Sequence, residues 1–265
     1  MGKTGIYTKH LKYSIILFFS FSSCTSPPQT GVTLKPVNII YFSQDLLYAV
    51  KSESPYDAYL DTLTQVNLKH LDTELNLREE KLAFWINLYN ALVQIKLERD
   101  TADFKDKGEF FSSKDFNIGG NKLSLDNIEH GILRGSQFKY GLGYIKKLWA
   151  PSFEQRFRLK TLDYRIHFTM NCGASSCPAI AFYKPEQIDE QLDLAESVFM
   201  NANSKYNAAD NTVEVSQILQ WFKGDFGGEN GIINILKNNG IIPDKINPKI
   251  TYKEYDWTLE NKKYE

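Results

Sequence analysis

The chain is poor in the residues that carry most thiol and metal chemistry. Its 265 residues include three cysteines, four histidines and three methionines. With so few, each one can be weighed singly. No two cysteines stand at the Cys-x2-Cys spacing of a zinc knuckle, so the commonest zinc signature is missing. A basic surplus is missing too: 31 lysines and arginines face 32 aspartates and glutamates. General nucleic-acid binding needs a net basic surface, and this balance argues against it. The one apolar run near the N-terminus is too short to span a bilayer as a helix, and no second run is long enough either. No internal repeat is visible, and no low-complexity linker follows Pro36.

What is present begins at the N-terminus. Lys3, Lys9 and Lys12 form a positive segment with no acid before Cys24. Ile15–Phe21 is a short apolar run, and the small residues Ser22 and Ser23 precede Cys24. This is the pattern of a secretory signal. Cleavage before Cys24 and lipidation of its thiol would anchor the chain to a membrane. The expected layout is a lipoprotein signal peptide at 1–23, a flexible tether at 24–36 and a single globular domain at 37–265. The expected location is the cell envelope, facing the periplasm, since no acidic cluster follows Cys24. Without residues 1–23 the chain carries 28 basic and 32 acidic side chains, a formal charge of −4.

Helical periodicity dominates the rest. Ser54–Lys69 reads as a helix with Pro55 in its first turn. Arg78–Arg99 is the clearest helix: Leu82, Trp85, Ile86, Tyr89, Val93 and Leu97 share one face, and Phe84, Leu88, Ala91 and Ile95 extend it. A helix apolar on most sides is a buried one. Phe116–Leu123 reads as a hairpin about Gly119-Gly120. Ser124 is placed to cap a short helix reaching Arg134. Tyr164–Met170 predicts a strand with Ile166, Phe168 and Met170 on one face. Glu186–Asn201, Ser216–Phe222 and Gly231–Asn239 predict helices, and Thr212–Val215 and Ile250–Tyr252 short strands. The class expected is α+β: a helix-dominated single domain with a small, mostly antiparallel sheet.

Polar residues set in apolar elements mark the candidate site. Asn87, Asn90 and Gln94 share a stripe of the buried helix. An unpaired buried amide costs about 1–3 kcal/mol, so each needs a backbone group, a water or a ligand. Glu129, His130 and Arg134 lie off the apolar stripe of the next short helix, with His130 and Arg134 adjacent at i, i+4. His167, Cys172 and Cys177 follow with four residues between each pair. As a nucleophile Cys172 needs a base, a lowered pKa and an oxyanion site. His130 or His167 is the candidate base, Glu129 the orienting acid and an Asn87 amide the oxyanion donor. On a continuous strand His167 would face away from Cys172. Cys177 before Pro178 suits a helix N-terminus, where a thiolate is favoured. Asp225, in Gly224-Asp225-Phe226, is expected first as a helix cap and second as a site carboxylate. The tryptophans and Phe84 are pocket candidates or core.

Five motifs occur in order: Phe84–Ala91, Leu125–Arg134, His167–Pro178, Trp221–Phe226 and Tyr255–Leu259. Together, over roughly Leu77 to Leu259, they resemble domain-of-unknown-function family 547. Glu260 departs from the family's C-terminal turn, where Asn would be expected. The resemblance brings little established biochemistry, so function rests on the residues. Two readings stay open. One is a Cys/His thiol-dependent hydrolase or transferase. The other is a non-catalytic periplasmic binding or scaffold domain, with Cys172 and Cys177 bridged in an oxidising compartment. A zinc site of His130, His167, Cys172 and Cys177 is a third arrangement of the same residues. No cofactor is called for. The expected partners are a membrane, through lipid on Cys24, and a small-molecule or peptide ligand.

Overall fold

Asn38 caps the first helix: its side-chain oxygen accepts the Ile40 N–H at 3.1 Å. The computed structural model describes residues 1–2 and 38–265. Cys24, the tether and nearly all of the expected signal peptide lie outside the described residues. Helix α1 spans Ile39–Lys51, α2 Asp57–Gln65, α3 Leu68–Glu74 and α4 Arg78–Arg99. The single helix expected over 54–69 is two. Asn67 separates them, because its side chain accepts the N–H groups of Lys69 (2.9 Å) and His70 (3.2 Å) and starts α3. At the head of α4, Glu80 reaches back to the N–H groups of Asn76 and Leu77, at 2.9 and 2.7 Å. Every residue of α4 from Leu82 to Leu97 is buried. Trp85, with no exposed surface, packs edge-on against Phe84, Phe153 and Phe157. Burying a side chain of this kind contributes about 1.5–3 kcal/mol.

After α5 (Lys107–Ser112) come β1 (Phe116–Ile118) and β2 (Asn121–Leu123), paired antiparallel about Gly119-Gly120. Both glycines have positive φ, at 55° and 80°, as the tight hairpin requires. The expected short helix toward Arg134 is a π-helix, Asn127–Leu133. Its wide turn carries on past the last helical residue: Arg134 N–H donates to the Glu129 carbonyl at 2.8 Å and Ser136 N–H to Gly131 at 2.9 Å. Next are α6 (Ser152–Phe157), α7 (Ile188–Asn203), β3 (Lys205–Asn207), β4 (Thr212–Ser216), α8 (Ile218–Trp221), α9 (Gly228–Asn238) and β5 (Lys249–Lys253). Strand β4 pairs antiparallel with β3 and parallel with β5. The fold is α+β and helix-dominated, with two small sheets.

The strand expected over Tyr164–Met170 is a 3-10 helix, Tyr164–Phe168, started by Asp163 accepting the Arg165 N–H at 3.1 Å. The apolar alternation has another cause. Ile166 and Met170 belong to the large core built on α4, whereas Phe168 belongs to a second core among α7, α8, α9 and the three-stranded sheet. The segment runs between two cores and needs no partner strand. Residues 37–265 form one compact unit. Among the described residues no helix is long and apolar enough to cross a membrane.

Candidate functional site

The π-helix, the 3-10 helix and the segment after β4 bring their polar residues to one buried cluster. His167 Nε2 lies 2.8 Å from Asp225 Oδ2, and Arg134 Nε donates to the same oxygen at 2.6 Å. Arg134 and Asp225 have fully buried side chains, and His167 nearly so. Burial pushes the His167 imidazole below the ordinary histidine range, opposed by the Asp225 hydrogen bond. Burial works against the Asp225 charge as well, but hydrogen bonds from His167 and Arg134 hold its carboxyl below the usual aspartate range. His167 is therefore neutral and donates through Nε2. Arg134 Nη1 meets His130 Nδ1 at 2.9 Å. A guanidinium only donates, so Nδ1 accepts and the ring hydrogen sits on Nε2, 3.5 Å from Asp126 Oδ1. Phe222 is flanked by this cluster: the His167 ring stacks on it at 4.1 Å and the Arg134 guanidinium lies 4.5 Å from its centre. Asp225 is not the cap first expected of it, since Gly227 is the N-cap of α9 and the carboxylate is taken by Arg134 and His167. Gly143 makes room for it; a Cβ there would come within 2.5 Å of Asp225 Oδ1.

A cleft of about 470 Å³ opens beside the cluster. Glu129, His130, His167 and Cys172, all expected at the site, line it together with Asp126, Lys139, Tyr89, Phe222, Trp221, Tyr255 and Trp257. Trp221, Tyr255 and Trp257 form an aromatic wall with ring centres 4.8–5.9 Å apart. Glu129 accepts from Tyr89 Oη at 3.3 Å, and its other oxygen lies 3.6 Å from His130 Nδ1. Asp126 is paired with Lys139 at 2.8 Å. Sequence reasoning missed Tyr89, Asp126, Lys139 and the site role of Tyr255. Asp126 stands one turn before His130, and that spacing was a usable signal. Tyr89 was hidden because it also sits on the apolar face of α4.

Cys172 and Cys177 are joined by a disulfide. Cys172 is half-buried at the cleft and Cys177 buried. Tyr255 Oη lies 3.2 Å from one sulfur and 3.1 Å from the other. Burial pushes the Tyr255 phenol up, with Glu129 adding to it, so the hydroxyl keeps its proton. Both candidate imidazoles are committed elsewhere: His167 to Asp225, His130 to Arg134. Neither pairs with a sulfur. No group of three or more His, Cys, Asp or Glu poised for a metal occurs among the described residues.

The amides stand apart from the cleft. Asn87 donates to the Tyr183 carbonyl (2.8 Å) and accepts the Tyr183 N–H (2.9 Å). Asn90 donates to the Thr169 carbonyl (2.9 Å) and accepts the Asn171 N–H (2.8 Å). Gln94 accepts the Lys262 N–H at 2.8 Å. Each pins irregular backbone to α4, and Asn87 is not among the residues that line the cleft. Phe84 and Trp85 are core, and Trp149 is exposed.

Fold and site together define an α+β domain with a disulfide at the edge of an aromatic cleft and a buried Asp–Arg–His relay behind it. The family model described as "Protein of unknown function, DUF547" matches residues 73–200, and that stretch belongs to the family. No curated protein and no solved structure matches the chain.

Proposed function

We propose that this is an exported, lipid-anchored protein of the cell envelope whose domain binds a small molecule or peptide end in the cleft. The observation that carries the binding reading is the make-up of the cleft. An aromatic wall faces the Glu129 carboxylate, which accepts from the Tyr89 phenol and lies 3.6 Å from the His130 ring. Binding sites are typically apolar concavities with a few placed polar groups. An aromatic wall with a carboxylate suits a flat apolar body that carries an ammonium or other hydrogen-bond donor. The signal pattern and Cys24 support export and anchoring. The bridged cysteines suit an oxidising compartment.

Trp221 and Trp257 supply the readout. Titration with benzylamine should change tryptophan emission, and benzoate, of opposite charge, should not. Glu129→Gln should weaken the benzylamine response about tenfold, the scale of one hydrogen bond to a charged group. A cleft indifferent to both probes would end the binding reading. The thiol-hydrolase reading lacks its nucleophile while the bridge is closed. It is separated by alkylation of Cys177→Ser: a Cys172 thiol slower toward iodoacetamide than a free thiol has no activating base. Fractionation of a Cys24→Ala variant tests the anchor, which is wrong if variant and parent are equally soluble in the periplasm.

A further inference from the structure

Seven of the fifteen large exposed hydrophobic side chains among the described residues fall within Phe138–Trp149. Leu148 is 92% exposed, Trp149 88% and Tyr140 75%. Singly exposed apolar residues are ordinary, but a contiguous set marks an interaction surface. This set is held by ordered backbone. Phe138 N–H donates to the Ile145 carbonyl and Lys147 N–H to the Ser136 carbonyl, both at 2.8 Å, and Gln137 and Lys146 form an antiparallel bridge. The tip is tied down as well, with Gly224 N–H donating to the Leu142 carbonyl at 2.6 Å. Leu142 itself has φ +50°, a left-handed conformation that a branched, bulky residue adopts only when its surroundings impose it. The fold thus holds a hairpin in a costly shape that leaves its apolar side chains in water.

Its charge points to what covers it. No acid occurs between Glu129 and Glu154, yet Lys139, Lys146 and Lys147 all fall in this interval. Lys139 and Lys147 pair with Asp126 and Glu154; Lys146 is exposed and has no acidic partner among the described residues. Protein interfaces are depleted in lysine. Tryptophan and tyrosine beside leucine and lysine are instead the composition that enters a membrane–water boundary, where the rings sit at headgroup depth and lysine stems reach outward. We propose that the hairpin 136–149 docks on an anionic membrane surface, its exposed aromatic and aliphatic side chains entering the headgroup boundary and Lys146 meeting lipid phosphates. Tyr140 and Leu142 also line the cleft, so docking brings the cleft mouth to the bilayer. The docking stands whether or not the ligand reading of the cleft holds.

The test uses the full chain carrying Cys24→Ser, which removes any acyl anchor, compared with hairpin variants in the same background. All share one N-terminus, so differences among them belong to the hairpin. Vesicles of phosphatidylglycerol with phosphatidylethanolamine should shift tryptophan emission to the blue, and Trp149→Phe should remove most of the shift. Leu148→Ser combined with Trp149→Ser should lower partitioning about tenfold. Lys146→Glu should weaken binding to these vesicles but not to phosphatidylcholine alone, and added salt should reproduce its effect. Circular dichroism confirms that each variant is folded. Equal partitioning of parent and double variant would overturn the proposal. So would a parent that ignores vesicles but self-associates through Leu148 and Trp149, which would make the hairpin a contact between copies.

Discussion

Asp225 is the residue on which the buried cluster turns, because Arg134 and His167 both donate to one of its oxygens. Asp225→Asn would leave the Arg134 guanidinium buried without its counter-charge. Breaking such a pair costs about 3–5 kcal/mol, and both side chains are fully buried, so solvent screening does not soften it. The same cluster sets a pH dependence. Burial holds His167 below the ordinary histidine range. As pH falls, the unfolded chain takes up this proton near about 6.5, before the folded chain does. Stability is therefore full above about 6.5 and declines below it. Asp225 is also lowered, so its contribution is present above about 3.9 and is lost as pH falls through its folded value. Denaturation midpoints should decline in two stages, the first beginning near about pH 6.5 and the second below about pH 4. His167→Gln should remove the first stage and leave the second. A parent midpoint unchanged between about pH 5 and 7 would contradict the assignment of His167 as buried and neutral.

At the scale of the element, α4 is a core helix that also serves as a rack for loops. Asn90→Leu keeps the volume roughly but strands the Thr169 carbonyl and the Asn171 N–H, both buried. Two unsatisfied buried groups should cost about 2–4 kcal/mol in chemical denaturation. Because Asn171 precedes Cys172, the variant should also speed reduction of the disulfide; unchanged stability and reduction rate would argue against the pinning role. This helix was legible in sequence because apolar residues recur on every side of it from Leu82 to Leu97, more than about four turns. So was the need of its amides for partners, though not which partners, since Tyr183, Thr169 and Lys262 are fixed only by tertiary packing. The hairpin at Gly119-Gly120 was legible from its glycines. The π-helix was not, because the spacing of Leu125, Ile128 and Ile132 fits a wide turn as well as an α-helical one. The 3-10 helix at Tyr164–Phe168 was misread because two cores on opposite sides imitate the alternation of a strand. Helix α1, whose buried face runs Phe42, Leu46, Leu47 and Val50, carried a periodic signal that the reading passed over.

At the scale of the whole molecule, the family match and the folding unit are different things. The matched stretch, 73–200, supplies α4, the π-helix, the 3-10 helix and both bridged cysteines. It does not supply Asp225, which holds Arg134 and His167, nor Phe222, on which both stack. The aromatic wall of the cleft, Trp221, Tyr255 and Trp257, lies beyond it too. So does the C-terminal segment that braces the disulfide loop: Ser175 N–H donates to the Thr258 carbonyl and Glu260 N–H to the Gly173 carbonyl, both at 2.8 Å. On the other side, α1 covers α4 with Phe42, Leu46 and Leu47, and its loss would expose apolar residues of α4 that are buried here. A fragment limited to 73–200 would therefore bury an arginine with no counter-ion and expose part of its core, two faults that each exceed the usual margin of a mutation. The fragment should show no cooperative thermal transition, whereas residues 38–265 should unfold in a single one. Supplying 201–265 as a separate chain should not restore the transition unless α1 is present as well. A fragment 73–200 that melted cooperatively on its own would show that the motifs C-terminal to it decorate a finished domain, and that Asp225 does not complete the core.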